Sequence, residues 1–171
     1  VNTVAKTVLS GGTLRLATAA TAFETDLTVA KGATFSMEGD ATSVALDALN
    51  VDGGTIRLDP GDVITVRGNV WASGLVVDWT SAPTDPAKFL VVEGEMDEVT
   101  EQAIQGAISR AVIGANQHIG IGIVREGGTV AFTAQVKDNT PIDESGNVIW
   151  RGSSAAWSGQ SNWDPAVPTA E

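Results

Sequence analysis

Three sets of residues in this sequence could do chemistry: one histidine, a series of aspartates, and tryptophans gathered near the C-terminal end. The histidine, His118, sits in ANQHIG and leads into an apolar stretch. A histidine-based triad needs a nucleophile and an orienting acid brought to it in space. No Gly-x-Ser-x-Gly occurs, and neither Ser73 nor Ser158 has a glycine two residues before it. His118 is therefore read as a structural or surface residue. Asp40, Asp47, Asp52, Asp59 and Asp62 recur where the chain should turn corners. Calcium could bridge such carboxylates, since it gathers several oxygen ligands. The Gly-Gly-x-Gly-x-Asp nonapeptide of calcium-binding rolls is missing, so solvated carboxylates are expected, with no metal site and no cofactor. A polysaccharide-cleaving enzyme needs two carboxylates facing each other across a cleft. No such pair can be picked from the sequence, so a catalytic role is not expected, and a polysaccharide-active β-helix stands only as an alternative. The IGIG run at 119–122 is not a phosphate-binding glycine motif. Arg125 occupies its last position, and no strand–turn–helix pattern follows.

The five tryptophans are Trp71, Trp79, Trp150, Trp157 and Trp163. Trp150, Trp157 and Trp163 are candidates for glycan binding, because flat indole faces can stack on sugar rings. The competing expectation is that they pack together or against a neighbouring module of the same polypeptide.

Composition narrows the partners. Ten Lys and Arg stand against 21 Asp and Glu, a net charge of −11. No basic cluster exists to meet nucleic acid or an anionic membrane. No stretch is apolar enough to span a bilayer as a helix, so no membrane insertion by this segment is expected. With no cysteine, disulfides, thiol catalysis and Cys-ligated metals are excluded. The chain begins and ends in mid-pattern, as a fragment of a longer protein would.

The elements that must position these residues come from a repeat. GGTLRL at 11–16, GATFSM at 32–37, GGTIRL at 53–58 and GLVVDW at 74–79 follow one another at a step of 21 residues. Their leading glycines are Gly11, Gly32, Gly53 and Gly74. Leu14, Phe35, Ile56 and Val77 form one apolar column, and Leu16, Met37, Leu58 and Trp79 another. Arg15, Ser36, Arg57 and Asp78 lie between them, with Thr13, Thr34 and Thr55 as an outward ladder. Alternation of period two is the mark of a strand with one buried face. A second extended stretch precedes each glycine: Thr7–Ser10, Leu27–Lys31, Leu49–Asp52 and Asn69–Ser73. A strand, a glycine corner, a strand and a looser return make one coil, and each coil covers the next. The fold expected is all-β: a parallel β-helix, or β-solenoid, of 21-residue coils over residues 6–79.

After Trp79 the step fails. Pro83 and Pro86 predict a loop, and Phe89–Val92 a buried strand. Apolar spacing at Met96, Val99, Ala103, Ile104, Ala107, Ile108, Ala111 and Val112 predicts a helix over 97–112. Arg110 and Gly114 are its expected closing signals. Strands are expected at 119–124 and 129–136 around a turn at Glu126–Gly128. Residues 83–136 should close the solenoid, with the helix as a short cap, so 1–136 form one module. Residues 137–147 read as a linker, and 137–171 as linker and Trp-motif tail.

The tail carries Trp150, Gly152, Trp157, Asn162 and Trp163 as W-x-G-x4-W-x4-N-W, followed by Pro165 and Pro168. With GGTLRL, GGTIRL, KFLVVEG and GGTVAF in the body, this resembles the passenger modules of autotransporter-like bacterial surface proteins, which carry autotransporter-associated β-strand repeats. The resemblance implies a right-handed β-helix. It also implies secretion or display at the outer-membrane-anchored surface of a Gram-negative bacterium, and a non-catalytic stalk or adhesin role. The partners it implies are neighbouring modules of the same polypeptide, and host or matrix glycans. No membrane barrel lies in this chain, so self-translocation is not implied for it.

Overall fold

Apolar residues two apart, in strands of four or five residues, leave each strand with one face that must be covered from elsewhere. The computed structural model describes residues 6–16, 23–37, 39, 43–115, 117–138, 149–150 and 163–164. In chain order the first coil supplies β1 (Lys6–Leu9) and β2 (Gly12–Arg15). The second supplies β3 (Asp26–Ala30), β4 (Ala33–Ser36) and β5 (Ser43–Leu46), and the third β6 (Ala48–Asp52), β7 (Thr55–Leu58) and β8 (Val63–Val66). The fourth supplies β9 (Val70–Ser73), β10 (Val76–Trp79) and β11 (Ala87–Val92). Equivalent strands pair in parallel, giving three ladders: β1-β3-β6-β9, β2-β4-β7-β10 and β5-β8-β11. The fold is a β-solenoid, as the repeat predicts.

The 21-residue step belongs to the second ladder, where Thr13 lies beside Thr34, Thr34 beside Thr55, and Thr55 beside Val76. In the first ladder Lys6 pairs with Asp26, Asp26 with Ala48, and Leu49 with Val70. The second coil carries one additional residue at its corner, so the sequence distance shrinks and then grows around it. Gly32, Gly53 and Gly74 turn their corners at φ of 83°, 68° and 61°. In the first coil the left-handed residue is Gly12, at φ 72°, and not Gly11. A side chain would strain each of these positions.

The third ladder runs through β5 and β8, where the 21-residue repeat predicts only a looser return. Its inward residues, Val44, Leu46, Ile64 and Val66, complete the core with Leu27, Val29, Leu49 and Val51 of the first ladder. Both predicted columns of the second ladder are buried from the second coil onward, with Phe35, Met37, Leu58 and Val77 fully sealed. In the first coil Leu9, Leu14 and Leu16 are only partly buried. Trp79 stacks edge-on to Phe89 at 5.7 Å, and its Nε1 donates to Ser109 Oγ at 3.0 Å.

Each ladder ends differently. Helix α1 (Glu98–Gln105) packs on β9, burying Thr100 and Ile104. Strand β12 (Ile108–Arg110) adds in parallel to β10. Strand β14 (Thr129–Asp138) adds antiparallel to β11 and is flanked by β13 (Gln117–Glu126). The turn joining these last two puts Gly127 and Gly128 at φ 57° and 86°. Gly120 and Gly122 leave room for Lys137 and Thr133 across the pair, where a Cβ would lie 3.0 and 3.1 Å from their side chains.

The helix is half the predicted length. Its start is as expected: Asp97 is the N-cap and its Oδ1 accepts from the Thr100 N–H at 2.7 Å. Its end comes at Gly106, and Ile108–Arg110 joins the open edge of β10 instead. Ladder hydrogen bonds and the Trp79–Ser109 contact outweigh a helical continuation there. Ile108 and Val112, 57% and 93% exposed, bury no helical stripe.

By contact the chain divides into one unit of Val1–Gly114 with Ile119–Lys137, and a second of Ala115–His118 with Asp138–Glu171. In the second unit β15 (Ile149–Trp150) pairs antiparallel with β16 (Trp163–Asp164), and Gln117 Nε2 donates to Asp138 Oδ1 at 2.9 Å.

Candidate functional site

Strand parity sets which side chains leave the solenoid. Val70 and Ala72 fill the core at 5% and 4% exposure, so Trp71 between them must point outward, and it is 45% exposed. In register along the outer face of the first ladder stand Val8, Thr28, Asn50 and Trp71. Beside them run Lys6, Asp26 and Ala48. This face forms a groove of about 190 Å³ that reaches Asn69 and Trp71.

On its other side Trp71 borders an open cleft of about 760 Å³, lined by Asn69, Glu95, Asp97, Glu101 and Arg125 among others. The far rim is fixed by backbone. The Val70 N–H donates to Glu95 O at 3.1 Å, and Gly94 lies so near Gly68 that a Cβ would stand 2.1 Å from the Gly68 carbonyl oxygen. Arg125 Nη2 donates to both carboxylate oxygens of Glu101, at 2.8 and 2.7 Å. The Thr100 backbone N–H and then its side chain, bonding the Asp97 carboxylate, hold that carboxyl below the usual range.

A second polar constellation occupies the corner between the second and third ladders. Asp59 reaches its neighbours on both sides: Oδ2 accepts from the Gly39 N–H at 2.7 Å, and Oδ1 accepts from the Thr80 hydroxyl. Asp62 lies under it, 3% exposed, and accepts from the Asp59 N–H at 2.7 Å. Burial pushes the Asp62 carboxyl up to about 6; the Asp59 N–H pulls it down, and the Asp59 charge adds to the rise. Both carboxylates are tied into the turn, as structural groups would be.

The other sequence candidates are dispersed. His118 lies exposed on β13. Asp47 and Asp52 fall at separate places on the first ladder's borders, and Asp40 is outside the described residues. Among the described residues no three His, Cys, Asp or Glu side chains gather as a metal site requires. Trp150 and Trp163 are paired in the backbone register of β15 and β16. Trp157 lies outside the described residues. Trp71 went unremarked as a site in the sequence, although the parity of Val70 and Ala72 was enough to turn it outward.

No protein-family model, curated protein or solved structure matches this chain. Among the described residues no helix is long and apolar enough to cross a membrane.

Proposed function

We propose that this chain is a non-catalytic structural or adhesive segment of a secreted or surface-displayed bacterial protein. The supporting observation is the stack itself: parallel ladders in register, with the core supplied by neighbouring coils rather than by packed layers around a site. Such a body is a scaffold whose outer faces are free to carry contacts. The strongly acidic composition suits a soluble, extended surface. The resemblance of the tail and GGT strands to autotransporter-like passenger modules points to the same setting. Antibodies against this segment should label intact source cells. Labelling that needs permeabilised cells would overturn the reading.

A second reading, a glycan-binding module using Trp150, Trp157 and Trp163, rests on the tryptophans of the sequence. It differs from the first in placing recognition in the tail, and the experiment below separates the two.

A further inference from the structure

We propose that the cleft beside Trp71 binds a neutral oligosaccharide, stacked on the indole and running along the outer face of the first ladder. This deepens the adhesive reading by naming a site and a ligand class.

A single exposed tryptophan is ordinary on a protein surface. What sets Trp71 apart is its place. It stands where two hollows meet, sharing their boundary with Asn69. Together they form a path from Lys6 and Asp26 on one side to Glu101 and Arg125 on the other. The first ladder alone spans three strand spacings, about 14 Å. That is long enough for an oligosaccharide rather than a single ring.

The lining has the character that sugars require. Pyranose rings present one apolar face and a rim of hydroxyls that both donate and accept. An indole supplies a rigid apolar platform with little entropy to lose. Thr28, Asn50 and Asn69 offer donors and acceptors along the path. The carboxylate of Glu101, held by Arg125, is a fixed acceptor pair. A concave surface with a few placed polar groups is the usual form of a small-ligand site.

Charge selects among ligands. Lys6 faces Asp26 across the first strand pair, and Arg125 is paired to Glu101. Glu95 and Asp97 remain, so the cleft is mildly negative. Uronic-acid or sulfated chains would meet like charge. The cations interleaved with the carboxylates break the single-sign field that a lysine-rich peptide would follow.

The test is calorimetric titration of the purified chain with maltohexaose, cellohexaose, N-acetylchitohexaose, hexagalacturonate and an oligolysine. At least one neutral hexasaccharide should bind at millimolar concentration or better, and hexagalacturonate should not. Trp71→Ala should weaken that binding at least about tenfold, equivalent to about 1.4 kcal/mol. Asn50→Ala should also weaken it, and circular dichroism should be unchanged for both variants. Trp157→Ala should bind as the parent does. The proposal fails if no neutral sugar binds, or if Trp71→Ala and Asn50→Ala bind undiminished. It fails equally if only Trp157→Ala loses binding, or if oligolysine binds in place of sugar. Surface labelling of cells is read independently, so a silent cleft on a labelled chain removes this site and leaves the broader function standing.

Discussion

Replacing Asp62 by asparagine should stabilise the protein at neutral pH and leave it nearly unchanged in acid. Asp62 is 3% exposed, and burial raises its carboxyl to about 6 from its ordinary value of 3.8. The folded state thus holds a proton that the unfolded chain has released between about pH 4 and about pH 6. Stability contributed by the protonated form is complete below the unfolded value. It is lost as pH rises through the folded one. The gap between those two values corresponds to at most about 3 kcal/mol. An asparagine keeps an oxygen that accepts from the Asp59 N–H, currently at 2.7 Å, and removes the ionisation. That rise is already net of the bond the ionised carboxylate accepts from the Asp59 N–H, and solvent screening brings the gain below this ceiling. The net expectation for Asp62→Asn is a gain of about 1–2 kcal/mol near pH 8, falling to about zero or slightly below near pH 4. Urea unfolding followed by tryptophan fluorescence at several pH values measures this, provided the m-values agree. A parent-minus-variant difference that stays flat with pH would refute the reasoning. So would a variant less stable than the parent at pH 8, since the hydrogen bonds would then outweigh burial.

Two further perturbations probe the frame around the candidate cleft. Trp79→Phe keeps most of the ring packing against Phe89 but loses the hydrogen bond to Ser109, so it should lower stability by about 1–2 kcal/mol in the same urea assay. A loss too small to resolve would mean that β12 is not held by that contact. Gly94→Ala forces a Cβ against the Gly68 carbonyl oxygen, 2.1 Å away, where backbone rather than a flexible side chain must yield. Overpacking of this kind costs about 1–3 kcal/mol, and thermal unfolding should show it; an unchanged melting temperature would contradict the close approach.

The second ladder was legible because its step is constant. Leu14, Phe35, Ile56 and Val77 stand 21 residues apart, and the structure places them side by side. The third ladder was hidden because its connections differ. Val44 pairs with Ile64, and Ile64 with Leu90, so the step changes within the same sheet. Corners of unequal length erase a period without altering the stacking that the strands need. The helix was overextended because Ala107, Ile108, Ala111 and Val112 fit a helical spacing by chance. An edge strand offered Ile108 a ladder partner that no local pattern shows. For the site the failure was of a different kind. Trp71 was readable from its two inward neighbours, but its meaning depends on Glu95, Glu101 and Arg125, which only the folded chain brings near.

The bonds that join one coil to the next all point along the stacking direction. A pull along that axis meets no continuous covalent path in any one ladder. It meets rows of weak bonds, each joined to the next by a single connection of the chain. The first coil, with Leu9, Leu14 and Leu16 only partly covered, has less apolar surface packed against its neighbours than the coils around Phe35, Ile56 and Trp79. Under tension such a body should lengthen coil by coil rather than by the rupture of a single contact. Along its stacking axis such a body would work as a yielding spacer that takes up a load in steps.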